Sequence, residues 1–296
     1  MEQQDWLAQQ FEEQRPRLRA VAYRMLGSLS EADDAVQESW LRLSRADTSN
    51  VENLAGWLTT VVARVCLNML RSRETRREEP LDVHMPDPII SHEDGGDPEQ
   101  EALLADSVGV ALLVVLDTLT PAERLAFVLH DVFAVPFDEI APMIERSPAA
   151  ARQLASRARR RVQGAAPAPD PDLTRQRKVV DAYFAAVRHG DFDGLVAVLH
   201  PEVVLRSDGG TERARQTVAI HGAREVAAQA VRARRLAPYV RPALINGTAG
   251  VVATARGRAF AVMAFTVAQG KIVAIDVLSD PERLAALDLA VLDDSP

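Results

Sequence analysis

The chain has little with which to build a covalent or metal-centred device. Its single cysteine, Cys66, sits in an apolar helical run, which excludes an internal disulfide framework and a multi-cysteine metal site. No cofactor or metal is expected. Aromatic side chains make up only 5% of the residues, so aliphatic groups must fill the interior. Long hydrophobic runs are missing too: Val108 to Leu116 and Ala259 to Ala268 fall far short of the about 18 residues a membrane span needs. A soluble cytoplasmic protein with no membrane partner is expected, and without coiled-coil heptads a monomer. The net charge of −8 lacks the positive excess that holds many nucleic-acid binders by bulk electrostatics.

That net charge averages opposed regions. From Glu78 to Asp106 there are ten acids and no lysine or arginine, whereas Arg146 to Arg161 carries six arginines and no acid. The 296 residues are enough for two or three domains, each with its own core.

The basic stretch reads as two short helices joined by a turn, Phe137 to Val162. Ser147 can cap the second helix and Pro148 follows at its first position, where a missing N–H costs nothing. Ala151, Leu154, Ala158 and Val162 form an inner stripe, leaving Arg152, Gln153, Ser156, Arg157, Arg159 and Arg160 on the outer faces. A helix of this build suits the major groove, with arginine matched to guanine edges and glutamine to adenine. A solvated arginine face is the competing interpretation. Pro142 falls inside the first helix of the pair and Glu145 stands in the turn, so a kink is expected.

Before this motif the chain reads as helical from Trp6 to about Arg77. One helix ends at Gly27-Ser28, Ser30 can cap the next, and Leu54 to Leu70 forms a third. The Pro- and acid-rich segment 78–105 reads as a linker rather than a core element. A further helical pattern runs from about Asp106 to Leu119, and Thr120-Pro121 opens another. After a second linker, 164–172, come helices at Thr174 to Arg188, Phe192 to Leu199 and His221 to Leu236. Strands follow at Val240 to Ile245, Val251 to Arg256, Ala259 to Val267 and Ile272 to Leu278, with Asn246-Gly247 turning the first pair. Helices first and an antiparallel sheet last predict an α+β domain.

Three motifs carry a family resemblance. Asp33-Asp34-Ala35-Val36-Gln37-Glu38 with Trp40-Leu41-Arg42, then Asn53-Leu54-Ala55-Gly56-Trp57-Leu58 running into Arg64, Asn68 and Arg71, then Leu119-Thr120-Pro121-Ala122-Glu123-Arg124 with the helix-turn-helix, resemble in that order the extracytoplasmic-function sigma factors of bacteria. The resemblance covers most of residues 1–163. It implies a multi-domain chain: an all-α sigma region 2 domain at 1–77, the acidic linker at 78–105, and an all-α region 4 helix-turn-helix domain at 106–163. A C-terminal α+β cone of SnoaL-like (NTF2-like) fold, 173–290, follows the 164–172 linker. Core RNA polymerase and promoter DNA are the implied partners. Asp33, Asp34, Val36, Gln37, Glu38, Trp40 and Leu41 are implied to face polymerase. Asn53, Arg64, Asn68, Arg71 and Arg73, with Arg152, Gln153, Ser156 and Arg157, are implied to face DNA. Leu81 to Pro88, Asp208-Gly209-Gly210 and Ser279-Asp280-Pro281-Glu282-Arg283-Leu284 resemble linker and tail motifs of the subgroup that carries this extra domain, in which it tunes sigma activity. Asp208, Gly209, Gly210, Asp280, Pro281 and Leu284 are therefore regulatory candidates. If that route operates, the tail motif should pack against the linker near Leu81 to Pro88 or against the sigma domains.

Two other functions remain open from the residues alone. A ligand-sensing helix-turn-helix regulator would hold a small molecule in the cone. An enzyme with a tethered DNA-binding module would use Asp276 inside an apolar cone, with a raised pKa and with His200, His221 and Arg206 nearby. An acid at a strand end, bonded to a neighbouring loop, would look the same in sequence.

Overall fold

A computed structural model describes residues 2–46, 51, 53–75, 84–91, 109–165 and 169–287. They fall into two compact units, residues 2–75 with 115–165, and residues 84–91 with 109–114 and 169–287.

The first unit begins with a helical bundle, α1 (Glu2–Leu26), α2 (Leu29–Leu43) and α3 (Leu54–Thr75). Gly27 ends α1 in the left-handed region (φ 72), donating its N–H to the Tyr23 carbonyl at 2.8 Å. The chain enters α2 so soon after this turn that Ser28, not Ser30, occupies the cap position. The expected Ser30 cap is thus corrected: Ser30 lies inside the first turn, its hydroxyl 3.1 Å from that of Ser28. Phe11, Leu18, Met25, Leu43, Leu58 and Leu67 are fully buried between the three helices, each contributing roughly 1.5–3 kcal/mol.

The rest of the unit is α4 (Val110–Asp117), whose last turn enters it, α5 (Pro121–Phe127), a π turn at Val128–Val132, α6 (Phe137–Ile140), a 3-10 turn at Ala141–Met143, and α7 (Pro148–Ala165). Thr120 and Glu123 form a reciprocal capping box at the start of α5. Pro142 does what its missing N–H dictates: α6 stops after one turn and the chain tightens into the 3-10 turn. Glu145 then takes φ 55 to redirect the backbone. Ser147 accepts the Ala150 N–H at 3.2 Å, and Ala151, Ala155 and Ala158 are the buried face of α7.

The second unit contains α8 (Leu173–His189), α9 (Phe192–Val198), β2 (Leu199–Asp208), β3 (Val218–His221), α10 (Ala223–Arg232), a 3-10 segment Arg234–Tyr239, β4 (Val240–Ile245), β5 (Thr248–Ala255), β6 (Arg258–Ala268), β7 (Lys271–Leu278) and α11 (Pro281–Ala285). The α+β expectation is met, but the sheet is mixed rather than antiparallel. Among the described residues seven strands, with β1 at Ile90–Ser91, run in the order β1-β4-β5-β6-β7-β2-β3, and β2 is parallel to β7. β1 is Ile90–Ser91, a strand made by the segment expected to be only a linker; it pairs antiparallel with β4, Ile90 opposite Ile245.

Two cores flank this sheet. Val180, Phe184, Leu195, Val226, Phe265 and Ile275 fill the face covered by the helices. The other face is covered by Met85 and Ile90 of the linker segment, Val110 at the start of α4, and Leu284 of α11, packed on Val252, Val262 and Leu278. Residues 84–91 therefore belong to the C-terminal core, against the expectation of a plain tether.

Candidate nucleic-acid interfaces and linker clamp

On α3, Arg64, Asn68 and Arg71 are all exposed. At 3.6 residues per turn their spacing of four and three puts them on one stripe. Arg73 is not part of it. Two residues beyond Arg71 and nine beyond Arg64 turn it to the far side of α3, where it pairs with Glu31 and its guanidinium donates to the Leu26 carbonyl at 3.4 Å. Its expected placement with Arg64, Asn68 and Arg71 is corrected by helical phase. Asn53 uses its side-chain carbonyl to accept the Gly56 N–H at 3.0 Å, capping α3. A cavity of about 290 Å³ opens beside it, lined by Trp6, Gln10, Gln14, Val51, Asn53, Leu54 and Ala55. Trp6 is exposed at its edge, while Trp57 is half-buried.

On α2, Asp33, Asp34, Gln37 and Leu41 share an exposed face, with Glu38 and Trp40 half-buried on its flanks. Asp33 accepts a two-pronged bond from Arg19 (2.6 and 3.2 Å), Glu38 pairs with Arg42 at 2.9 Å, and Trp40 packs on Phe11 with ring centroids 5.1 Å apart. Val36 is buried at 2% exposure, so it supports this face from beneath instead of presenting itself.

On α7, Arg152, Gln153 and Arg157 are exposed and Ser156 half-buried. Arg152 lies over the Phe137 ring at 5.3 Å, a cation–π contact that orients it. Several arginines here meet acids of their own domain: Arg157 and Arg161 lie 3.6 and 3.4 Å from Glu123, and the Arg159 Nε donates to Asp131 at 2.7 Å. Arg160 is exposed with no ion pair among the described residues. Among the described residues α7 thus presents Arg152, Gln153 and Arg160 without an acidic partner, whereas Arg157 and Arg159 have one.

The helix-turn-helix part also packs against the bundle. The Arg124 Nε donates to the Arg24 carbonyl at 3.1 Å, and the Arg24 guanidinium sits 5.2 Å over the Phe133 ring. Both arginines are buried, and one Arg124 nitrogen has no hydrogen-bond partner among the described residues. Burial pushes the neighbouring Cys66 thiol up to about 12, slightly offset by the Arg124 charge.

The C-terminal unit brings together the two motifs expected to be regulatory. Asp208, 1% exposed, accepts the Gly210 N–H at 3.0 Å and, through Oδ2, the Met85 N–H at 3.0 Å and the Arg283 guanidinium at 2.8 Å. His84 Nδ1 stands 3.6 Å from the same oxygen. Arg283 also donates to Asp87 (2.9 and 2.6 Å) and to the Met85 carbonyl. Asp280 caps α11 by accepting the Glu282 N–H at 2.9 Å, and Leu284 is buried beneath. Pro281 occupies the first turn of α11. Gly209 donates to the Thr217 hydroxyl at 3.1 Å, and Gly210 (φ 64) is held so close to Asp280 that an added Cβ would meet Oδ2 at 2.1 Å. Farther along, Ile89 and Asn246 exchange hydrogen bonds of 3.0 and 2.8 Å. The expected packing of the tail motif on the linker near Leu81 to Pro88 is observed at 84–88, and Leu81 itself lies outside the described residues. Arg283 and Asp87, the charged centre of this clamp, were not singled out by sequence reasoning, although Arg283 lies within the quoted tail motif.

Of the pocket candidates, Asp276 and Arg206 meet, while His200 and His221 have other partners or none among the described residues. Ile275 and Val277 turn toward the helix-covered core, so Asp276 between them points to the opposite face. There it is buried and paired with Arg206 at 2.6 and 3.2 Å. His221 is exposed on the edge strand β3, and the His200 Nδ1 accepts the Glu202 N–H at 3.2 Å. The placement of Asp276 inside an apolar cone with the two histidines is corrected by strand alternation.

An outward arginine and asparagine stripe on a helical bundle, a helix-turn-helix with a basic second helix, and an appended α+β domain define a DNA-reading transcription factor. Residues 10–76 match the family model for sigma-70 region 2, and residues 109–162 that for sigma-70 region 4. The chain is 39% identical to the ECF RNA polymerase sigma factor SigJ of Mycobacterium tuberculosis, over 95% of this chain and 94% of that one. It is 35% identical to a probable ECF RNA polymerase sigma factor, SigI, of the same species, over 97% and 98% of the two chains. The crystal structure of SigJ superimposes with a TM-score of 0.77 at 35% identity, covering 95% of this chain and 99% of that one. The chain belongs to the extracytoplasmic-function family of RNA polymerase sigma factors. Among the described residues, no helix is long and apolar enough to cross a membrane.

Proposed function

We propose that this sigma factor, acting in the cytoplasm with core RNA polymerase at promoter DNA, is regulated in cis by a SnoaL-like (NTF2-like) domain that grips the linker between its two sigma regions. The observation that carries this is the clamp in which Arg283 joins Asp87 of the linker to Asp208 of the sheet. A linker gripped at 84–91 cannot change its path without breaking buried charge pairs, so the clamp biases which arrangements of the sigma regions are accessible.

Within this reading Asp33, Asp34, Gln37 and Leu41 meet polymerase. Arg64, Asn68 and Arg71 meet the promoter near the melted element, and the cavity beside Asn53 takes one unstacked base. Arg152, Gln153 and Ser156 read the upstream duplex. The pairing of Asp276 with Arg206 argues against catalysis in the C-terminal domain, and phosphodiester formation belongs to the polymerase. Run-off transcription with purified core polymerase tests the reading. The full chain is expected to give promoter-specific transcripts, with a changed yield when Arg283→Ala opens the clamp. Equal yields from both chains at every salt concentration would refute regulation through the linker.

A further inference from the structure

The chain is acidic overall, yet from Arg213 to Ile275 it carries ten basic residues and one acid, Glu225. Part of this charge gathers at one end of the C-terminal sheet, where the 3-10 segment Arg234–Tyr239 enters β4 and the β5–β6 hairpin turns. Arg234, Arg235, Arg241, Arg256 and Arg258 are the basic residues there, and Arg235, Arg241 and Arg258 are among its exposed side chains. Tyr239, 48% exposed, ties the two pieces together through Phe260, with ring centroids 6.3 Å apart. Register fixes the rest: Val240 lies opposite Ala253, Arg241 opposite Val252, and Arg258 opposite Ala255. None of the five arginines has an acidic partner within 4 Å among the described residues.

Unpaired like charges on one surface repel, which disfavours the isolated domain unless a polyanion occupies the face. The functional motifs do not use these residues: the clamp charges lie on β2, α11 and the linker segment, whereas this face lies on β4, the β5–β6 hairpin and the segment before them, and borders the linker-covered core only at Val252, opposite Arg241, and at Ala259. We propose that this face is a third DNA-binding surface, touching the phosphate backbone of the promoter duplex. Arginine forks match phosphate oxygens, and the exposed Tyr239 hydroxyl can donate to a neighbouring one. No base edge is read, so the face adds affinity and salt dependence without sequence preference. The inference rests on the sigma-factor reading only in that it supplies the DNA.

The test uses the full chain with core polymerase and a promoter duplex, comparing wild type with the triple variant Arg241→Gln/Arg256→Gln/Arg258→Gln. Each arginine–phosphate pairing that the substitutions remove should reduce the slope of log K against log salt by about 0.9, so the triple variant should shallow the slope by roughly 2–3 between about 50 and 200 mM salt. Its affinity for core polymerase should be unchanged. Because the three positions lie at the surface end of the sheet and their removal relieves like-charge repulsion, the variant should melt no lower than wild type; Arg234→Gln/Arg235→Gln, on the neighbouring segment, provides a second variant for which a reduced slope is likewise expected. An unchanged slope in both folded variants would overturn the proposal. So would an unchanged slope with weakened core binding, which would assign the face to an acidic protein surface. Promoter-specific transcription by the wild-type chain with core polymerase reports on the sigma-factor reading separately.

Discussion

Truncating Arg283 to alanine should release the linker while leaving the C-terminal domain folded. Its guanidinium makes three charge-assisted bonds of 2.6 to 2.9 Å to Asp87 and Asp208, in a site where the Asp208 side chain is 2% exposed and that of Arg283 22%. Removing one partner of a buried pair typically costs about 3–5 kcal/mol, because the other charge stays buried. Here Asp208 keeps two backbone N–H donors, from Met85 and Gly210, and His84 lies nearby. That lowers the expected cost to about 2–3 kcal/mol. At 1.4 kcal/mol per factor of ten, linker opening should become roughly 30- to 150-fold more frequent. Hydrogen exchange resolved to peptides reads this directly: the amides of Met85, Ile89 and Asn246 should exchange faster by that factor, with those of the α8 and β5 core unchanged. Arg283→Lys should fall between, since an ammonium restores charge but not the fork. Less than a threefold change over 84–91 in Arg283→Ala would refute the clamp as the element that holds the linker.

Replacing Glu145 by glycine should stabilise the chain by about 1 kcal/mol, because Glu145 occupies the left-handed region at φ 55; a thermal melt that does not rise would contradict this. Arg71→Ala should weaken promoter binding and leave the melting temperature within error, whereas Arg73→Ala should lower the melting temperature because its bonds to Glu31 and the Leu26 carbonyl disappear. Stability should also fall at alkaline pH. Unfolded Cys66 ionises near its ordinary value of 9.0, but burial holds the folded thiol neutral up to about 12. Its contribution is present in full below about 9 and declines by about 1.4 kcal/mol per pH unit as pH rises toward 12, which urea titrations across that range would measure and a Cys66→Ala variant should flatten.

Much of the fold is legible where local signals agree with tertiary structure. Val240 to Ile245 is bounded by Pro238 and Asn246-Gly247, and the strand lies at those residues. Ser147 and Pro148 set the start of α7 by local chemistry alone. β2 is hidden in the sequence because His200-Pro201-Glu202 reads as a loop, and its pairing with β7 depends on residues about 70 positions away. The linker misleads for a related reason. Pro86 and Pro88 exclude helix, which in sequence reads as a tether, but the same prolines favour extended backbone that can lie along a sheet edge, and Ile89-Ile90 supplies the apolar anchor. Site residues divide similarly. The Arg64, Asn68 and Arg71 stripe follows from helical phase, and the same phase removes Arg73. Alternation counted along β7 groups Asp276 with Ile272, yet the β6–β7 pairing shifts register between Thr266 and Val267. Ile272 consequently faces the helix-covered core, whereas Asp276 and Leu278 face away from it.

The two-residue strand β1 also bears on how the domain tolerates being cut. It covers Leu244 and Ile245 on β4, which would otherwise be the outermost strand beside β5. A fragment beginning at residue 169 would expose that edge, with its unpaired backbone donors and acceptors open to strands of other molecules. Such a fragment should self-associate in solution, and a peptide spanning residues 84–91 should return it to a monomer by pairing with β4.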